Sequence, residues 1–328
     1  MISKMQCGSR QKEYYDISVI VLIYEQPLEE ILLTLASIIG QKNADFQIII
    51  SDDGSTTPFL QKCIDFMEKV GFRDYKIIWH QYNVGTVINY IDALEKADGK
   101  YIKSLGPGDC FGMEDAIQLW VDDMKKEGSR LSFCDAIYYR KNGEKYESVV
   151  EVAHPQNLQV YTEKKKLQKK YYLLYNDIFS AVTVMCEKSL IYKYIEIIRS
   201  WVKYAEDNMF RLMILDGIEG AYFAHKAVYY EWGSGVSTKE NIHFKKVIKQ
   251  EWEKTTEYIC KHCSNNWLEN KIRNYYMPGQ GNESFVSKIF YELARLDVLI
   301  YEKRNHNKKR LTVHGDLGYL YTLKNLYE

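Results

Sequence analysis

The chain has 328 residues, with 44 Lys and Arg balanced by 44 Asp and Glu, so it offers no basic footprint for nucleic acid. Its 46% apolar content supports a sizeable core. No apolar run approaches the roughly 20 residues of a membrane-spanning helix, and the polar start MISKMQCGSRQKEYYD lacks a signal-peptide core; a cytoplasmic protein is expected.

Residues 17–23 form a continuous β-branched and leucine run, the pattern of a buried parallel strand. Pro27, then Glu29 and Glu30, open a helix in which Leu28, Ile31, Leu32, Leu35 and Ile39 recur at helical spacing until Gly40. Strands are predicted over 46–50, 75–80 and 101–105. Helices are predicted over 59–70, stopped by Gly71, and over 86–97, closed by Asp98-Gly99. This alternation with short links predicts an α/β protein, a mostly parallel sheet with helices on both faces.

A helix near 114–126 and a strand near 131–138 extend the pattern, and Lys141-Asn142-Gly143-Glu144 reads as a hairpin turn. The rhythm then loosens. The basic run 164–170 reads as a solvated helix face. A strand over 178–185, helices over 188–201 and 206–215, and a strand over 221–232 lead to the glycine-serine turn GSGVST. Past Lys239, Lys, Glu, Tyr and Trp dominate with helical periodicity. A boundary near 237–240 therefore divides a domain over 1–238 from a helical extension over 239–328. The extension is expected to hold helices near 243–262 and 284–303, broken at Met277-Pro278-Gly279.

Three acidic positions carry chemistry. The first strand end to do so is Ser51-Asp52-Asp53-Gly54-Ser55. In open α/β sheets ligands bind at such strand ends, where a carboxylate accepts hydrogen bonds from a base or a ribose. Asp, Gly and Ser are also common turn residues, so a plain turn remains open. The second is Gly106-Pro107-Gly108-Asp109. Asp109 suits Mg²⁺ or Mn²⁺, which use one or two carboxylates plus substrate phosphates; the alternative is a cap on the helix near Met113. The third is Ala205-Glu206-Asp207-Asn208, either a good helix N-terminus or the seat of an ionised general base. No glycine-rich dinucleotide loop, P-loop or GxSxG elbow occurs. The seven histidines show no ligand spacing, and Cys260-Lys-His-Cys263 has no second pair to complete a zinc site.

Taken in order over roughly 16–238, these segments resemble the family 2 glycosyltransferases of the GT-A fold. SDDGST is similar to that family's nucleotide-binding turn, and Asn83-Val84-Gly85 followed by Asn89 to its next motif. DGKYIKSLGPGD resembles the segment ending in the metal-binding acidic motif, AEDNMFRLM the later Glu-Asp motif, and VYYEWGSGVS the strand and turn after it. The resemblance implies inverting transfer of a sugar from a nucleoside diphosphate, UDP in the first instance, to a hydroxyl of a glycan or lipid-linked acceptor. It implies that Asp53 and Asp52 hold the base or ribose, that Leu22 and Tyr24 line the base pocket, and that Asn83 and Gly108 approach the donor. Asp109 would bind Mn²⁺ or Mg²⁺, and Asp207, with Glu206 beside it, would be the general base. The chain departs from the family at Gly106 and Gly108, where further acids usually stand, which leaves a metal site, metal-free chemistry and an inactive relative all open.

A non-catalytic scaffold of the same fold is the alternative, and a sugar nucleotidyltransferase a weaker one, since residues 22–28 lack the glycine and basic residues of its loop. The extension is a candidate for peripheral contact with the inner face of a membrane through Lys271, Arg273, Tyr275, Tyr276, Lys303, Arg304, Lys308, Lys309 and Arg310. A solvated cap on the core is the competing reading.

Overall fold

The computed structural model describes residues 2–8, 14–233, 242–278, 285–306 and 308–328. The first half alternates as expected: β2 (Tyr15–Ile23), α1 (Leu28–Ile39), β3 (Phe46–Asp52), α2 (Leu60–Lys69), β4 (Tyr75–His80), α3 (Thr86–Lys96) and β5 (Gly99–Leu105). An edge strand that sequence reasoning missed, β1 (Ile2–Cys7), runs antiparallel to β4. Pairing at an edge uses backbone groups, so an apolar alternation is not required to signal it.

The chain continues through β6 (Cys110–Phe111), α4 (Ala116–Glu127) and the hairpin β7 (Leu131–Asn142) and β8 (Lys145–Val149). Short helices α5 (Gln159–Thr162) and α6 (Gln168–Leu173) precede β9 (Val184–Glu187), α7 (Lys188–Ile198), α8 (Asn208–Leu215) and β10 (Gly220–Glu231). The strand expected over 178–185 is corrected to β9 alone, preceded by a 3-10 turn over Ala181–Thr183. Phe179 leaves the backbone there to fill the core as a loop residue, stacking on Phe133. Helices α9 (Ile242–His262), α10 (Trp267–Tyr276), α11 (Phe285–Asn305) and α12 (Gly318–Lys324) complete the described chain.

Ten strands form one sheet among the described residues, ordered β1-β4-β3-β2-β5-β9-β7-β10-β6, with β8 beside β7. The run β4-β3-β2-β5 is parallel, and so is β7 with β10, while β9 lies antiparallel between β5 and β7. All these parallel strands therefore end at one edge. The order reverses at β2, because β3 lies on one side of it and β5 on the other. This switch point opens a crevice between the loops after β2 and β5.

Strand alternation sends side chains into two cores. Ile17, Val19, Val21 and Ile23 pack with α1, α2 and α4 on one face, while Ile20, Ile49 and Ile102 pack with α3, α7 and α8 on the other. The region after 239 joins both cores. Ile259, Cys263, Ile272, Ala294 and Val298 enter the second, and Leu317, Leu320 and Leu323 enter the first. The boundary expected near 237–240 and most of the glycine-serine turn lie outside the described residues, as does Gly279 of the expected break.

Candidate active site

The first acidic turn is folded by its own carboxylates. Asp52 has no exposed surface, and its Oδ1 accepts the Ser55 N–H at 2.7 Å, folding the chain back over the strand end. Burial raises its pKa. Asp53 turns toward α3. Its Oδ1 accepts the Val84 N–H at 2.6 Å, and its Oδ2 accepts the Gly85 N–H at 3.0 Å. Asp53 thus holds the Asn83-Val84-Gly85 turn, and Asn83 stays half-buried beside it. Burial raises the Asp53 pKa as well, against these two N–H donors. Gly54, at φ 77°, could carry no side chain, since a Cβ would meet the Tyr82 backbone at 2.4 Å.

On the same wall of the crevice, the loop after β2 is stitched to this turn. Glu25 accepts hydrogen bonds from the Thr56 N–H and hydroxyl at 2.8 and 2.7 Å, and its own N–H donates to Ser55 Oγ at 2.9 Å. Leu22 is half-buried and Tyr24 exposed, so both border open space.

The second acidic turn is clamped onto α1. The Thr34 hydroxyl donates to the Asp109 carbonyl at 2.8 Å, and the Gly108 N–H donates to Thr34 Oγ1 at 3.0 Å. Tyr139 hydrogen-bonds the Gly108 carbonyl. The Asp109 carboxylate is not spent on capping α4, whose N-cap position is Asp115. Instead Oδ1 accepts the Glu231 N–H at 3.1 Å. Gly108 has φ 91°, and a Cβ there would lie 2.1 Å from Glu231 Oε2. The glycine that departs from the expected acidic pattern therefore makes room for a carboxylate from β10. Burial, with Glu231 nearby, pushes the Asp109 pKa up to about 7.

Lys103 lies fully buried in the same region, its Nζ donating to the Ser104 and Val182 carbonyls at 2.6 Å each. Burial pushes its pKa down to about 8, with Asp109 opposing. Neither Glu231 nor Lys103 was singled out from sequence. Glu231 stands at the end of a strand parallel to β7, but only the sheet order brings that end to Asp109.

The third acidic position opens α8. Asp207 occupies its N-cap yet makes no capping hydrogen bond, which leaves the carboxylate available. Asp207 is exposed and Glu206 half-buried. Glu206 lines a small recess, partly open to solvent, with Tyr90, Ser104 and Ala181. Surrounding protein raises both carboxyl pKa values, with Asp207 and Glu251 adding to the shift at Glu206; for Asp207 the nearby Arg211 guanidinium opposes it.

The entry to α8 is fixed from the C-terminal region. The Glu251 carboxylate, on α9, accepts the N–H groups of Lys203, Tyr204 and Ala205 at 2.8–3.3 Å. Arg211 packs over the Trp252 ring 4.5 Å from its centroid and donates to Thr256 Oγ1 at 2.9 Å. The same loop touches the turn that Asp53 holds: Lys203 O accepts the Val87 N–H at 3.0 Å, and a Cβ on Gly85 would meet the Lys203 side chain at 2.5 Å. Asp53, Gly85, Lys203 and Glu251 thus form one mechanical chain from the first acidic turn to the third.

Among the described residues no group of three or more His, Cys, Asp or Glu could hold a metal by itself. Cys260 and Cys263 are buried and free.

A profile described as Glycosyl transferase family 2 matches residues 18–189, more than half the chain. The chain belongs to glycosyl transferase family 2. Solved structures place the family 2 chain in the GT-A fold. It is similar to S. aureus TarS, at 14% identity and TM-score 0.53, covering 87% of this chain and 49% of that one. It is similar to S. aureus TarS 1-349 in complex with UDP-GlcNAc, at 15% identity and TM-score 0.52, covering 87% of this chain and 80% of that one. A mannosyltransferase, PcManGT from Pyrobaculum calidifontis in complex with GDP-Man and Mn²⁺, aligns at 11% identity and TM-score 0.52, covering 95% and 79%. The chain thus spans about half the length of the first of these structures. No curated protein matches it in a sequence search.

Proposed function

We propose that this family 2 glycosyltransferase moves a hexosyl or N-acetylhexosaminyl group from a nucleoside-diphosphate sugar to a hydroxyl of a glycan or lipid-linked acceptor, with inversion. The observation that carries this reading is the meeting of the Asp109 turn with Glu231 at the switch-point edge, with Glu206 lining a recess that Ser104 of β5 also lines.

The donor would lie in the crevice between the loops after β2 and β5. Leu22, Tyr24 and Asn83 would border the base, and the Asp53 carboxylate keeps acceptor capacity beyond its two N–H donors. Asp52 supports that wall by folding the turn. Gly108 would let backbone approach the diphosphate. UDP is the nucleotide to test first, because TarS 1-349 holds UDP-GlcNAc; GDP is the second, on the precedent of PcManGT.

Asp109 and Glu231 fit a divalent cation. They supply hard oxygen donors, one from the turn after β5 and one from the end of β10, and Gly108 leaves room for the Glu231 carboxylate to stand beside Asp109. Bound there, Mn²⁺ or Mg²⁺ would neutralise the charge that develops on the departing diphosphate.

Asp207 would take the proton of the acceptor hydroxyl as its oxygen attacks the anomeric carbon. The new C–O bond forms opposite the bond to the diphosphate, which leaves with its electron pair. One displacement needs one base, unlike the two close carboxylates of a retaining glycosidase. Calorimetry with UDP, with and without Mn²⁺, tests the site. Binding strengthened by Mn²⁺ and weakened in Asp109→Asn is expected. Absence of any nucleotide binding would favour the scaffold reading.

A further inference from the structure

We propose that the exposed face of α11 is a peripheral docking surface for an anionic lipid bilayer. α11 packs inward through Ala294 and Val298, and Asp297 ties it down by ion pairs to Lys170 at 3.1 Å and Lys271 at 2.6 Å. Its outward side carries Phe285 (79% exposed), Val286 (57%), Ile289 (42%), Leu296 (54%), Leu299 (51%) and Ile300 (41%). Their intervals of three, four and seven residues place them along one side of the helix. An exposed apolar stripe of this kind marks a contact site. Glu292 falls within the stripe, with Arg295 3.7 Å away to offset its charge.

Charge identifies the occupant. The stripe runs into Lys303 and Arg304, and Lys308 and Lys309 follow, all four exposed. Residues 239–328 carry 16 Lys and Arg against 11 Asp and Glu, whereas residues 1–238 carry 28 against 33. The neutral chain is thus polarised, with its positive surplus in the region that bears the stripe. An anionic bilayer meets both features at once: apolar side chains enter the headgroup boundary, and the basic end faces lipid phosphates. A second copy pairing through the same helix face would cover the stripe but answer the charge poorly. Of the three acids on α11, Glu292 and Asp297 are already paired, leaving Glu302 against four basic side chains. No helix among the described residues is long and apolar enough to cross a membrane, so the contact lies along the surface.

The basic set expected from sequence is corrected here. Lys271 is paired with Asp297, Arg273 donates to the carbonyls of Cys260, Cys263 and Ser264, and Arg310 is paired with Asp135 at 2.8 Å. Tyr276 donates to the Leu173 carbonyl. These groups hold the fold together and leave the α11 stripe with its basic end as the membrane-facing element.

This inference stands independently of the sugar-transfer reading. Its test is sedimentation of the full chain with phosphatidylcholine vesicles, with and without phosphatidylglycerol. The protein should sediment with the anionic vesicles and be released by salt. Leu296→Glu/Leu299→Glu should abolish binding, and Lys303→Glu/Arg304→Glu should weaken it by roughly tenfold or more. Both pairs are exposed, so unchanged thermal melts will show that the fold survives. Equal vesicle binding by wild type and both variants, or no binding by wild type, overturns the proposal. So does a wild-type dimer in analytical ultracentrifugation that Leu296→Glu/Leu299→Glu converts to monomer, since a second copy would then be the occupant.

Discussion

Glu206 and Asp207 are neighbours in sequence with different surroundings. Asp207 is exposed with Arg211 near, while Glu206 turns into the recess beside Tyr90 and Ser104. That difference fits a base accessible to an acceptor and a second acid that shapes its surroundings. Asp207→Asn should lower kcat by ~10²-fold or more while nucleotide affinity survives; a near-normal rate with the true acceptor would remove Asp207 from the mechanism. Glu206 yields a stability prediction. Burial raises its folded-state pKa from 4.5 to about 8, so between those values the folded state binds more protons than the unfolded one. Stability should therefore fall as pH rises through this window. Glu206→Gln should flatten the thermal-melt profile across it and raise the melting temperature near its upper end; parallel profiles for the two proteins would count against this assignment. The acidic pair was legible in sequence because helix-opening acids after a small residue are local. Its surroundings were legible only in part: Arg211 follows four residues on in the same helix, but Tyr90 and Ser104 arrive from α3 and β5.

At the scale of elements, α9 acts on α8 through one carboxylate. Glu251 gathers three consecutive N–H groups immediately before Glu206, a charge-assisted arrangement that fixes where α8 begins. Glu251→Gln keeps the shape and loses the charge. Turnover should fall by roughly tenfold to a hundredfold through misplacement of Asp207, while nucleotide affinity stays near wild type. Loss of both in equal measure would point to general unfolding instead. The first-half elements were readable because βαβ units are local: an apolar run, a turn, an amphipathic helix and a glycine stop. The strand expected over 178–185 shows the limit of that reading. Its residues are apolar because Phe179 packs in the core, and only Val184–Glu187 finds space between β5 and β7. Glu251 gave no sequence signal at all, since an acid inside a Lys- and Glu-rich helix looks like a solvated one.

Across the whole molecule, the C-terminal region closes both layers. α12 returns to α1 and places Leu320, fully buried, in the core beneath β2 and β3, while Tyr327 meets Phe66 of α2 edge-on. We propose the division at 238/239 as one of sequence character, with the two parts folding as a single cooperative unit. Leu320→Ala should then cost about 2–5 kcal/mol in a denaturant melt that remains one transition; a separate early transition would mark the extension as an independent unit. By itself the sequence determined the alternating α/β pattern, the three acidic strand and helix ends, and their order, because each depends on neighbours within a few residues. It also carried the family, since that order is the resemblance. Only the tertiary structure decided that Glu231 stands against Gly108 and Asp109, that Glu251 anchors the loop before Asp207, and that Lys271, Arg273 and Arg310 are spent internally. The physical reason is that these contacts join residues on different elements, most of them dozens to more than a hundred positions apart. Which carboxylates meet is set by strand order and helix packing, and no local spacing encodes either.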